Sequence, residues 1–182
     1  MGAHPAPRLT TDRLVLRGFV RADFDAVHGY HQHPEVHRFF GPEPIGREDL
    51  WRRTLASVGG WIVNGIGGWV VERRDDGAII GTVGLFDGLR GKGWDGETEL
   101  GYIFAADAHG QGFASEACRA ALDWHDETRG GDIYAMIDPD NAASHRLAER
   151  LGFVAERRFD YEGEELMLLR RPAPQVRKPK SR

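Results

Sequence analysis

A chain of 182 residues, 41% hydrophobic and 29% charged, is long enough to bury its own core and has the composition of neither a disordered nor a fibrous protein. Its net charge of −4 offers no global attraction for nucleic acid. A single cysteine, Cys118, excludes an intrachain disulfide framework and fits a reducing cytoplasm, the expected compartment.

The opening residues MGAHPAPR lack the apolar run of a secretion signal, so the protein is expected to stay where it is made. RLVLRGF (Arg13 to Phe19) alternates as a strand, and RADFDAVHGYHQH then places Phe24, Val27 and Tyr30 near helical spacing. HPEVHRFFGPEP predicts a short helical turn closed by prolines, and Arg47 to Ser57 a longer helix with Leu50, Trp51 and Leu55 inward. Thr54 to Val71 is uncharged over a length that borders on a membrane span, but five glycines and Asn64 interrupt it; a helix end, a turn and a buried strand are expected, and no membrane. GGWVVERRDDGAIIGTVGLFD predicts two strands about the turn DDG, and ETELGYIF a further strand after a glycine-rich loop.

The second half alternates: helix from Phe113 to Glu127, strand DIYAMID, helix from Ala142 to Leu151, strands FVAERRF and ELMLLRR. Strand, helix, strand, helix implies a parallel crossover inside a mixed sheet, so the fold class is α/β, or α+β in some schemes. No repeat or interdomain linker interrupts the chain. Cys118 shares a helical face with Ala114, Ala117, Ala121 and Leu122, where a small buried hydrophobe is expected rather than a nucleophile.

The stretch HGQGFASEACRAAL, His109 to Leu122, sets two glycines one residue apart at a helix start. Gly110-Gln111-Gly112 is a poor dinucleotide fingerprint: Ser115 stands where a third glycine belongs, and AADAH separates the turn from its strand. Two readings stay open, glycines that merely cap a helix and a nest of successive main-chain N–H groups from Gly110 to Ala114 at a positive helix end, suited to phosphate.

ELGYIFAADAHGQGFASEACRAAL resembles the acyl-CoA signature of the GNAT N-acetyltransferase superfamily. IDPDNAASHRLAERLGF resembles its second motif, and LTTDRLVLRGFVRADF its opening strand. The wording is most similar to the RimJ/RimL branch, which acetylates ribosomal-protein N-termini; His109 departs from the Gln or Arg of the wider superfamily. The resemblance runs over residues 8–171 and leaves 172–182 as a basic tail, expected to be solvated. It implies one domain with a mixed, splayed sheet of about six to seven strands flanked by helices. It also implies acetyl-CoA as cofactor, with the diphosphate on the amides of Gly110, Gln111, Gly112, Phe113 and Ala114 beside His109, and the pantetheine arm along Ile103 and Phe104.

Acyl transfer to an amine needs a neutral nucleophile, a route for its proton and a group that settles the departing thiolate. Asn141 and Gly152 bracket a helix on which Ser144, Leu147, Ala148 and Leu151 share a face. The Ser144 hydroxyl either bonds back to the main chain or, as the resemblance implies, donates to the CoA sulfur; Asn141 is similarly expected to contact the pantetheine arm besides capping. Glu99, within a strand beside Gly101 and Ile103, is the first candidate for general base, with a structural salt bridge as the alternative. Glu116, in the first helical turn, is assigned to the helix dipole.

An α-amine with a pKa near 8 costs about 1 kcal/mol to deprotonate at pH 7, and a lysine about 4.6. The expected acceptor is therefore a protein N-terminal α-amine or a small amine, attacking directly in a ternary complex. FDYEGEEL gathers carboxylates around Tyr161 and either attracts a cationic acceptor or is simply solvated; Phe39 and Phe40 either wall the acceptor cleft or pack in the core. His28, His31, His33 and His37 cluster, but Pro34 interrupts them and no cysteine or carboxylate pattern completes a metal site, so no metal is expected. The alternative function is a non-catalytic acyl-CoA-binding module. Oligomeric state stays open, a homodimer included.

Overall fold

The computed structural model describes residues 5–41 and 43–174. Eight strands form one sheet: β1 (Leu9–Thr10), β2 (Leu14–Arg17), β3 (Gly68–Arg73), β4 (Ile79–Phe86), β5 (Thr98–Phe104), β6 (Ile133–Ile137), β7 (Val154–Tyr161) and β8 (Glu164–Arg171), in the order β1-β2-β3-β4-β5-β6-β8-β7. The helices are α1 (Phe24–His31), α2 (Pro34–His37), α3 (Arg47–Val63), α4 (Phe113–Thr128) and α5 (Ala142–Arg150). Every pairing is antiparallel except β5 with β6, which α4 joins by a crossover. This is the mixed α/β sheet that the strand–helix alternation implies.

Two details depart from expectation. The sheet gains an extra strand because Leu9 and Thr10 pair with Leu16 and Val15, and Thr11 closes the hairpin through its amide to Leu14 C=O at 3.0 Å and its hydroxyl from Leu14 N–H at 3.0 Å. Helix α3 runs past Ser57 to Val63, through Gly59 and Gly60. Gly60 is tolerated there because the chain returns against it: a Cβ would stand 2.7 Å from the Ile66 carbonyl oxygen. One turn on, Trp61 packs edge-on to Trp69 of β3 at 4.6 Å and to Trp124 of α4 at 5.5 Å. That aromatic contact rewards the helical extension.

The strands alternate between two cores. Leu14, Leu16, Val71, Val83, Leu85, Leu100 and Phe104 meet α4 and α5 through Ala117, Cys118, Ala121, Leu147 and Leu151, whereas Val70 and Ile103 face Phe24, Val27, Tyr30, Val36 and Leu50 of α1–α3. Cys118 is fully buried, and burial pushes its thiol pKa up. Ala173 donates to Asp132 Oδ1 at 2.8 Å, which ties the first residues after β8 to the sheet; positions 175–182 of the expected basic tail lie outside the described residues. No described helix is long and apolar enough to cross a membrane.

The parallel ladder between β5 and β6 is brief. Thr98 pairs with Ile133 and Glu99 with Tyr134; beyond them β5 continues on β4 and β6 continues on β8, so the two strands part. The fork is clamped at its apex. Arg90, in the glycine-rich loop before β5, donates to both Glu99 oxygens at 2.9 Å and to the Tyr161 hydroxyl at 2.6 Å. It thereby joins β4–β5 to the β7–β8 hairpin across β6. Replacing Arg90 with Met leaves the Glu99 carboxylate buried and unpartnered; urea unfolding is expected to show a loss of about 2–3 kcal/mol, at least half of it recovered in the Arg90→Met/Glu99→Met double variant.

Candidate active site

The turn between β5 and α4 is built from its glycines outward. Gly110 and Gly112 have φ of +72° and +81°, left-handed values that a side chain disfavours. Beyond them the Glu116 amide donates to Gly112 C=O at 3.1 Å, and the described residues provide no main-chain partner for the amides of residues 110–115. Unpaired donors at a helix start are an anion receptacle.

Side chains hold this turn from outside. Arg13 Nη1 donates to Gln111 C=O at 3.0 Å, and its guanidinium lies over the Phe113 ring at 4.4 Å. Glu116 accepts from Thr11 Oγ1 at 2.5 Å, Arg13 N–H at 3.0 Å and Arg13 Nε at 2.7 Å. Burial pushes the Glu116 carboxyl up, but these bonds outweigh it and hold the pKa below its ordinary value. The helix-dipole role expected for Glu116 is thus joined by a bolt to the β1–β2 turn. Gln111 turns its amide back to Asp107 C=O at 2.6 Å, and His109 Nε2 lies 3.0 Å from Phe104 C=O, tying the end of β5 to the turn.

The turn opens on a cavity of about 790 Å³, the cradle cavity, whose lining includes His109, Gly110, Gly112, Ala114, Ile103, Phe104, Asn141 and Ser144. Asn141 caps α5, its Oδ1 accepting from the Ser144 amide at 3.1 Å. Ser144 is half-buried, and its carbonyl accepts from the Tyr102 hydroxyl at 3.4 Å. Burial pushes the Tyr102 phenol up to about 12, so it keeps its proton at neutral pH. Tyr102, and the cations Arg38, Arg146 and Arg150 that line the cavity, escape sequence reasoning. The i, i+4 spacing of Arg146 and Arg150 is visible in the sequence, but not which way that face of α5 looks.

A second cavity of about 550 Å³ lies beneath α3, lined among others by His31, His37, Ile45, Leu50, Arg53 and Val58. Its floor is the cross-strand pair Gly84 and Gly101 with the Phe86 ring over them; a Cβ at Gly84 would collide with that ring. The two cavities share Phe40, Tyr102 and Ile103, where β5 has left β6. Of the residues expected to wall an acceptor cleft, Phe40 lies on this seam, Phe39 lines the cradle cavity alone, and Tyr161 lines neither, being held by Arg90. The acidic residues beside Tyr161 are exposed at the hairpin tip. Of the two readings open for Glu99, the salt bridge is present, and Glu99 lines neither cavity. The clustered histidines diverge: His33 caps α2 through Glu35 N–H, and His31 stacks on Tyr30.

Against known proteins, the GNAT acetyltransferase domain matches residues 13–154. The uncharacterized N-acetyltransferase YoaA of Bacillus subtilis is 32% identical over 152 residues, 82% of this chain and 84% of that protein. Among solved structures, an acetyltransferase from Agrobacterium tumefaciens superposes with a TM-score of 0.78 at 28% identity, covering 91% of this chain and 94% of that one. RimL, a ribosomal L7/L12 alpha-N-protein acetyltransferase in complex with coenzyme A, shares the fold at TM-score 0.73 and 14% identity, over 91% of this chain and 98% of its own. The chain belongs to the GNAT acetyltransferase family. It is an N-acetyltransferase, transferring an acetyl group to an amine.

Burial in the α3 cavity lowers the pKa of His31 to about 4, helped by nearby His28 and Arg53. The folded value lies below the unfolded one, so the unfolded chain binds the extra proton and stability falls as pH drops from 6.5 toward 4. His31 alone is expected to remove about 3 kcal/mol by the lower end of that window. The unfolding free energy of wild type minus that of His31→Leu is expected to fall by about 3 kcal/mol as pH drops across it.

Proposed function

We propose that the chain moves an acetyl group from acetyl-CoA to a primary amine, a protein N-terminal α-amine or a small amine, by direct attack in a ternary complex. The observation that carries this is the junction of the two cavities at Phe40, Tyr102 and Ile103, beside the strand edge that β6 has left free. One cavity has the donors a diphosphate requires; the other is largely apolar and admits a neutral amine.

The residues present fit acetyl-CoA. The amides of Gly110 to Ala114 would take the diphosphate, while Arg38, Arg146 and Arg150 supply positive charge around it. The β5 edge around Ile103 and Phe104 that β6 has left would meet the pantetheine arm, and Asn141 lines the same cavity. Acetyl-CoA supplies the activated acetyl thioester at the junction. Ser144 lines this cavity, where its hydroxyl would donate to the departing sulfur, and the protonated Tyr102 hydroxyl donates to the Ser144 carbonyl. For Glu99 the bidentate guanidinium favours an anchoring role, since each carboxylate oxygen already accepts from Arg90.

The RimL neighbour bound to coenzyme A supports the choice of cofactor, and its action as a ribosomal L7/L12 alpha-N-protein acetyltransferase supports a protein α-amine among the acceptors. The α3 cavity, at about 550 Å³, is large enough for the first residues of a peptide or for a small amine.

Gly110 gives the direct test, because a Cβ there meets nothing within 4 Å of the protein. Gly110→Ala is expected to cost about 1–2 kcal/mol of stability through the left-handed backbone alone and to weaken coenzyme A binding at least tenfold, read by calorimetry. Unaltered affinity would remove the amide cradle as the diphosphate site.

A further inference from the structure

We propose that the α3 cavity selects acceptor α-amines that carry a bulky apolar side chain, and that Gly84 and Gly101 set the depth of this pocket through Phe86. This rests on the acetyl-transfer reading above and names an acceptor class for it. Glycine is a poor strand residue, and a glycine inside a strand commonly marks a close approach. Here two of them stand directly opposite one another in β4 and β5, and neither has the positive φ found at Gly110 and Gly112. Space, rather than backbone conformation, is what these two positions require.

The Phe86 ring takes that space. A Cβ on Gly84 would collide with Phe86 Cζ, and one on Gly101 would stand 3.2 Å from Phe86 Cε2. With side chains there the ring would have to leave the sheet surface. Phe86 pairs across the ladder with Glu99, whose carboxylate Arg90 pins, so the direction left to the ring is the cavity that Gly84, Phe86 and Gly101 line. The glycines therefore sink the ring and keep about 550 Å³ open beside it. Phe86 is half-buried rather than sealed, so an occupant of the cavity can rest on it.

The rest of the lining matches such an occupant. Ile45, Leu50, Val58, Val70 and Val83 contribute apolar surface. Two of the lining hydroxyls are already engaged, Thr54 donating to Leu50 C=O at 2.8 Å and Thr82 accepting from the Tyr30 hydroxyl at 3.4 Å. The charged lining residues Glu43, Asp49 and Arg53 are exposed, and Asp49 is paired with Arg52. Being solvated and of both signs, they select weakly between acceptors, which leaves the apolar wall to discriminate. A glycine at the acceptor position leaves that wall wet, whereas a leucine or phenylalanine side chain covers it, a difference of about 10- to 100-fold in rate.

Steady-state acetylation of glycinamide, leucinamide and phenylalaninamide, α-amines of similar basicity, tests the inference. In wild type, kcat/KM is expected to be about 10- to 100-fold higher for leucinamide than for glycinamide. Gly84→Ala, which lifts the ring, is expected to cut that ratio about tenfold, with coenzyme A affinity unchanged by calorimetry. Phe86→Ala, which deepens the pocket, is expected to shift preference from leucinamide toward phenylalaninamide about fivefold. In the Gly84→Ala/Phe86→Ala double variant the added methyl meets no ring, and the ratio of leucinamide to glycinamide is expected to return to within about threefold of wild type. Should Gly84→Ala fail to fold, Phe86→Ala and the double variant carry the test. Tripeptides opening with glycine or leucine separate the two sources of such an amine: the same preference is expected there, and faster turnover of the peptides than of the amides would assign the pocket to a protein N-terminus. A wild type indifferent to the side chain, or preferences that neither single variant moves, would overturn the pocket assignment while leaving acetyl transfer standing. A wild type that binds acetyl-CoA and acetylates no amine would overturn the transfer reading itself, and the acceptor class with it.

Discussion

The site depends on a parallel ladder that stops after two residue pairs. Had β5 and β6 stayed paired, the main chain of Leu100 to Phe104 would be spent on the sheet, and neither cavity would reach its edge. Splaying leaves polar main-chain groups to be satisfied by something else, which is the opening a peptide-like pantetheine arm would fill. A fork of this kind also needs a fixed apex. Glu99 is the last paired residue of β5, and the Arg90 guanidinium locks it to the Tyr161 hydroxyl on the far hairpin. An ionic clamp there holds the strands apart at a defined point.

Charge is arranged locally against the net charge of the chain. The protein carries −4 overall, yet the proposed cradle gathers unpaired amides, the positive end of a sixteen-residue helix and three guanidinium groups. Attraction for a polyanion is thereby confined to one place. The neighbouring cavity is of the opposite character. Its walls are mostly apolar, its floor is an aromatic ring over two glycines, and burial keeps the His31 imidazole uncharged. Its charged lining residues, Glu43, Asp49 and Arg53, add both signs beside that apolar wall.

What the sequence revealed was local in the chain. The glycine turn, the Asn141 cap, the buried face of α5 and the crossover of β5–α4–β6 each rest on residues a few positions apart, where spacing alone fixes geometry. What stayed hidden was brought together over distance or settled by packing. Arg90 lies in a glycine-rich loop, and nothing near it signals that Glu99 and Tyr161, 9 and 71 positions away, would take it. The same clamp holds Tyr161 away from both cavities and pins Glu99. Gly84 and Gly101 have no motif; they matter because antiparallel register sets them side by side beneath Phe86. Helix α3 outran its expected end because Trp61 found two other tryptophans, a contact absent from any local window.

The central claim is that main-chain amides at the start of α4 grip the diphosphate of acetyl-CoA. Hydrogen exchange of residues 110–115, with and without saturating acetyl-CoA, tests it most directly because it reads those donors themselves. They should exchange rapidly in the free protein and become protected by tenfold or more in the complex. Equal exchange in both states, with acetyl-CoA demonstrably bound, would place the carrier elsewhere and contradict the account.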